Sequence, residues 1–167
     1  MTLGPTVSIE HYGTRAVYGI LASALGAGTV AGALLGFRWQ PRYPMRLGML
    51  FCLPFPVTVG LFALGAPVAV LVVLFALTGA GVALFGIWWE TALAQRIPPH
   101  TLSRVSAYDW MGSLALLPIA YVLAGPLGEA LGAVEVLAVG SLLGLAAFAA
   151  SLAVRGVWTL ERISREA

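Results

Sequence analysis

Between Leu47 and Trp89 the chain carries no charged side chain. That run is about twice the ~20 apolar residues that cross the hydrocarbon core of a bilayer. It holds two spans, with a turn at Gly65-Ala66-Pro67. Tyr18 to Phe37, Trp110 to Gly128 and Val136 to Val154 are likewise free of charge, and each is close to the same length. A chain of this kind satisfies its backbone inside lipid by forming helices. The expected fold is therefore all-α integral membrane, with five transmembrane helices packed as a bundle. The spans are expected at about residues 17–37, 47–65, 67–92, 106–126 and 133–154, with an external segment at 1–15 and a cytoplasmic tail at 155–167.

Composition excludes the main alternatives. Hydrophobic residues make up 60% and charged residues 10% of the chain, against roughly 45–50% and 25% in soluble domains. All nine basic residues are arginines flanking apolar runs, with no basic groove or stacked-aromatic pattern, so nucleic acid is not an expected partner. The lone cysteine, Cys52, rules out an intrachain disulfide and a cysteine-rich metal site. His11 and His100 fall in gaps expected on opposite sides of the membrane. No nucleophile elbow occurs, and without lysine no phosphate-cradling loop. The chain is expected to be neither an enzyme nor a cofactor carrier. Its first expected partner is the lipid bilayer.

The arginines orient the spans. Basic residues in short loops stay on the cytoplasmic side. Arg38, Arg42 and Arg46 follow the first span, Arg96 and Arg104 the third, and Arg155, Arg162 and Arg165 the fifth, while the gaps after spans two and four hold none. Only Arg15 falls on the other side. This places the chain in the cytoplasmic membrane, N-terminus outside and C-terminus inside. The segment Met1–Arg15 lacks the basic, apolar and small-residue order of a secretory signal. Thr2–Ser8 reads as the end of a helix, and the odd span count as a fragment of a longer protein.

Several local features have two readings. Gly28, Gly32 and Gly36 repeat every four residues, which lets helix backbones approach closely, either for static packing or for sliding. The basic loop Arg38–Arg46 contains Pro41 and Pro44, and it is either a topology anchor with interfacial Trp39 and Tyr43 or a hinge. Pro54 and Pro56 are expected to kink the second span. Trp88 and Trp89 read as an interfacial aromatic belt. Glu90, Arg96, Arg104 and Asp109 form one charged cluster at the cytoplasmic ends of spans three and four. A charge placed in a transmembrane helix costs about 3 kcal/mol at mid-depth and less near an end. Glu90 therefore calls for a partner, with Arg104 and Arg96 nearest along the topology. The cluster is either a set of ion pairs fixing a loop or a gate that breaks and re-forms.

Trp89-Glu90-Thr91-Ala92-Leu93, then Gln95 and Ile97-Pro98-Pro99, then Leu102 to Trp110, and Pro118 to Gly125-Pro126 resemble the C-terminal half of major facilitator superfamily transporters, especially bacterial exporter-like members. The segment Gly26 to Arg46 is similar to the helix pair and basic loop between that family's eighth and ninth helices. The resemblance runs from about Leu3 to Arg155. It implies helices eight to twelve of a twelve-helix permease, helix seven reduced to Thr2–Ser8, and an N-terminal half supplied by a longer product or a partner chain. It further implies a small-molecule substrate and a cavity lined in part by Ser23, Thr29, Thr78, Ser113 and Tyr121. The family's basic loop usually carries an aspartate before its first arginine. Leu35-Gly36-Phe37-Arg38 has none, so the resemblance moves the charge lock to Glu90 and Arg104. The alternative is a membrane protein that does not transport, either a truncated product or an assembly partner.

The topology has a direct test. In a Cys52→Ala background, cysteines placed at Ala66 and at Arg42 should react with a membrane-impermeant maleimide from opposite faces of intact cells and inverted vesicles. Labelling of both from the cell exterior would contradict the arrangement.

Overall fold

A computed structural model describes residues 3–159. Met1, Thr2 and the tail arginines Arg162 and Arg165 lie outside the described residues. Among those described, the chain is helical with no strand. Five helical segments are long and apolar enough to cross a membrane: Ala16–Arg38, Pro44–Ala63, Val68–Arg96, Pro99–Leu131 and Ala133–Ala153. The shortest has 20 residues, which at ~1.5 Å per residue reaches about 30 Å, the thickness of the hydrocarbon core. Ahead of them comes α1 (Gly4–Tyr12), followed by α2 (Ala16–Arg38) as the first span.

Proline divides two of the spans. The second consists of α3 (Pro44–Cys52) and α4 (Pro54–Ala63), joined at Leu53. Pro54 and Pro56 lack the amide hydrogens that would continue the ladder. Hydroxyls engage the carbonyls of the prolines themselves. Thr58 Oγ1 donates to the Pro54 carbonyl at 2.6 Å, and Ser141 Oγ, from a different span, donates to the Pro56 carbonyl at 2.7 Å. The third span is one helix, α5 (Val68–Arg96). The fourth divides into α6 (Pro99–Leu114) and α7 (Leu117–Leu131) just before Pro118, so it begins well ahead of the first residue expected for it. The fifth is α8 (Ala133–Ala153), followed by the short α9 (Arg155–Thr159).

Packing centres on α5. The only buried residues of α2 are Leu21, Gly28, Gly32 and Gly36. Gly28 and Gly32 lie directly against the backbone carbonyls of Ala76 and Ala80, and Gly79 of α5 lies against the Leu25 carbonyl of α2. On another side of α5, Gly81 meets the Phe51 carbonyl of α3. Each contact replaces a side chain with backbone at van der Waals range, which is the main source of helix association where lipid is as apolar as the helix surface. α8 packs on α4, where Thr58 Oγ1 also meets Thr78 Oγ1 of α5 at 3.0 Å.

Apolar clusters close both ends. Val7, Leu21, Phe62, Leu71, Phe75 and Ala133 form one, near the Gly65 turn. Met45, Leu84, Trp88 and Ala92 form the other. There Trp88, 1% exposed, donates its indole N–H to the Trp39 carbonyl at 3.0 Å, and its ring stands edge-on to Trp39 and Phe51. α1 docks on the first end. Tyr12 donates to the Ala66 carbonyl at 2.6 Å and His11 Nε2 to the Ala63 carbonyl at 2.8 Å, while Gly13 ends α1 at φ 70°. Burial raises the Tyr12 phenol above its ordinary value of 10.0. A raised phenol keeps its proton, so this clamp holds through neutral pH and weakens only as pH climbs past that value.

The fourth span departs from a closed bundle. No residue of α6 or α7 is buried, and the pair touches α5 and α8 only along its edge. Lipid exerts no hydrophobic force that would press an apolar helix inward, and Gly112 and Gly125 have open space where a neighbour's backbone would pack.

Two alanine substitutions on α2 separate close packing from helix propensity. Gly28→Ala drives a methyl into the Ala76 carbonyl and should destabilise the chain by about 1–3 kcal/mol. Gly26→Ala, which meets nothing within 4 Å, should be neutral or stabilising by up to ~1 kcal/mol. Thermal denaturation in detergent reads both, and equal effects would refute the close α2–α5 contact.

Candidate functional site

Where α6 leans away from α5, it leaves a cleft of about 550 Å³. Ala33 of α2 forms one wall. Val82, Phe85, Gly86, Trp89 and Glu90 of α5 form the second, at the three- and four-residue spacing of one helix face. Asp109, Trp110 and Ser113 of α6 form the third. The volume falls in the range of small-molecule sites, roughly 300–1,000 Å³. A second cavity between α1, α2, α4, α5 and α8 is only about 70 Å³. It is a packing void lined by Phe55, Phe62, Phe75 and their neighbours.

One hydrogen bond spans the cleft. Trp89 Nε1 donates to Asp109 Oδ2 at 2.9 Å, and the Trp89 ring stacks on Phe85 with centroids 6.2 Å apart and an interplanar angle of 18°. A charged acceptor makes this bond stronger than a neutral one, and it is the polar tie between α6 and α5 that the contacts show. Glu90, one residue along α5, is exposed and makes no hydrogen bond or ion pair among the described residues.

The four members of the expected charged cluster separate. Glu90 and Asp109 both line the cleft. Arg104 does not, and no ion pair joins it to Glu90 among the described residues. The reason is helical phase. Arg104 precedes Asp109 by five residues, which turns it about 140° away from the α6 face that meets α5. Arg96 Nη1 donates to the Ala92 carbonyl of its own helix at 3.5 Å.

The expected cavity-lining hydroxyls separate too. Ser113 lines the cleft. Thr78 does not: it is 3% exposed and bonded to Thr58 in the interface between α5 and α4. Ser23 and Thr29 donate to the Gly19 and Leu25 carbonyls one turn back on α2, and Tyr121 lies exposed on α7, away from the cleft. In the basic loop, the Arg42 guanidinium sits over the Tyr43 ring at 5.5 Å. Arg46 lies over Trp158 of α9 at 4.8 Å, which ties α3 to α9. Arg38 is in the last turn of α2, where exposed carbonyls favour a cation.

Sequence reasoning missed the aromatic walls. Trp88 and Trp89 were both expected at the membrane interface, but Trp88 is buried against Trp39 and Trp89 faces the cleft. The signal was present in the spacing of Val82, Phe85, Gly86 and Trp89, which repeats on one face of α5. Among the described residues no three His, Cys, Asp or Glu side chains come together as metal ligands. Comparison of the chain with family models, with curated proteins and with solved structures returns no match.

Trp89→Phe removes the donor to Asp109 and should loosen the α5–α6 tie by about 1.5–3 kcal/mol, the range for a hydrogen bond to a charged group. Spin labels at Gly86 and Ser113 in a Cys52→Ala background should then give a broader distance distribution than in the parent. An unchanged distribution would show that the bond does not hold α6 in place.

Proposed function

We propose that this chain is part of a major-facilitator-type secondary transporter that moves a small molecule across the cytoplasmic membrane. The observation that carries the reading is the cleft between α2, α5 and α6, which is large enough for one small molecule. Its polar and aromatic walls include Trp89, Glu90, Asp109 and Trp110, four residues of the segment that resembles that family. Two further features support it. Span four leans on its neighbours without being buried by them, which leaves it room to move. Gly112 and Gly125 offer unmatched surface on the same span for an opposing set of helices. In this reading a second helix set, from a longer product or another chain, faces the cleft. Rocking of the two sets exposes the cleft to one side of the membrane and then the other. Glu90 is the charge that closure would engage.

Alternating access can be tested without knowing the substrate. In native membrane vesicles, a Ser113→Cys probe in a Cys52→Ala background should react with an impermeant maleimide several-fold faster or slower once ionophores collapse the proton and sodium gradients. A cysteine at Ala66, away from the cleft, should not change. An identical Ser113→Cys rate in energised and collapsed vesicles would favour a static membrane protein over a transporter.

A further inference from the structure

The cleft is opposite in charge to the chain that forms it. The whole chain has formal net charge +2, yet among the described residues the charged side chains lining the cleft are the carboxylates of Glu90 and Asp109. No arginine among the described residues lines it. Three aromatic rings, those of Phe85, Trp89 and Trp110, make up much of the remaining wall. Ring faces attract cations, indole most strongly, and the attraction grows as the cation is desolvated. Two carboxylates in a partly apolar cleft also act on a cation more strongly than they would in water. Asp109 is held in orientation by Trp89, whereas Glu90 has no partner among the described residues.

We infer that the cleft binds a lipophilic organic cation, a quaternary ammonium or phosphonium centre bearing aromatic groups. The positive centre lies between Glu90 and Asp109, and its rings lie against Phe85, Trp89 and Trp110. Competing ligand classes fit less well. A hard metal ion takes about six oxygen ligands, and the cleft offers two carboxylates and the Ser113 hydroxyl among apolar walls. An anion meets two like charges. A neutral apolar molecule takes water from both carboxylates and brings no opposite charge, which is costly.

The inference names the cargo of the transport reading and rests on that reading for its biological meaning, but binding is measurable without flux. The probe is tetraphenylphosphonium, titrated calorimetrically against the chain in nanodiscs of zwitterionic lipid, with empty nanodiscs subtracted. Triphenylphosphine oxide serves as the neutral aromatic control. The expected result is saturable binding of the cation at one site, weakened about tenfold or more in the Glu90→Gln/Asp109→Asn double variant. The neutral control should partition identically with both proteins. The amide of Asp109→Asn still accepts from Trp89, and circular dichroism checks that the variant is folded. Should it fail to fold, Ser113→Trp fills the cleft instead and should abolish binding. Equal affinity of the parent and the double variant, saturable binding that survives Ser113→Trp, or neutral binding as tight as that of the cation would overturn the inference. Carboxylate-dependent binding together with a gradient-insensitive Ser113→Cys rate would sink transport and leave the cation site. The reverse pair of results would do the opposite.

Discussion

The structure depends on the direct approach of two helix backbones. Gly28 and Gly32 of α2 and Gly79 of α5 leave no side chain between the helices, so carbonyls of one meet α-carbons of the other. In water such a contact would add to a hydrophobic drive. In lipid that drive is absent, and close packing itself provides the attraction. Because α5 also receives α3 at Gly81, it serves as the post to which the first two spans attach. The face left over carries Val82, Gly86, Trp89 and Glu90, and it forms the main wall of the cleft.

Hydroxyl groups in this chain mostly serve the backbone. Thr58 and Ser141 engage carbonyls around the Pro54–Pro56 break, and Thr58 and Thr78 bond to each other. Ser23, Thr29, Thr91 and Ser151 each donate to a carbonyl one turn back on their own helix. An unpaired hydroxyl in hydrocarbon is costly, so these groups are already committed within the fold. The cleft therefore keeps few polar groups, and two of them are carboxylates. What it presents is charge and aromatic surface more than a hydrogen-bond pattern.

Span four shows how apolarity and burial part company in a membrane protein. Its mean hydropathy of 1.7 matches the 1.8 and 1.6 of the first two spans, whose windows are 22% and 33% buried, yet none of its own is. A sequence pattern reports that a segment tolerates lipid, and lipid is present on every side of a lone helix. Which face turns inward depends on a few specific contacts, here Trp89 to Asp109 and the edge of α7 against α8. Glu90 and Asp109 were legible as a pair of acids near one end of spans three and four. That Arg104 stands apart from them was not, because it follows from the phase of α6 against α5, a relation between two helices and a property of neither alone.

The five spans and the turn at Gly65 follow from residue order alone, because the charge-free lengths match the thickness of hydrocarbon and a helix satisfies their backbone there. The break in the second span was legible as well, since Pro54 and Pro56 lack the donor, whereas Pro126 stands inside the continuous α7. What the small and polar residues do emerges from the packing of helices on one another. The glycines of α2 were readable as a close-packing stripe, but their partners, Ala76 and Ala80, are ordinary alanines in an apolar run. Thr78 was as good a candidate for the cleft as Ser113, until packing turned one into the interface with α4 and the other into open space. Trp88 and Trp89 are adjacent and identical in type, yet about 100° of helix rotation puts one in a buried cluster and the other at the cleft.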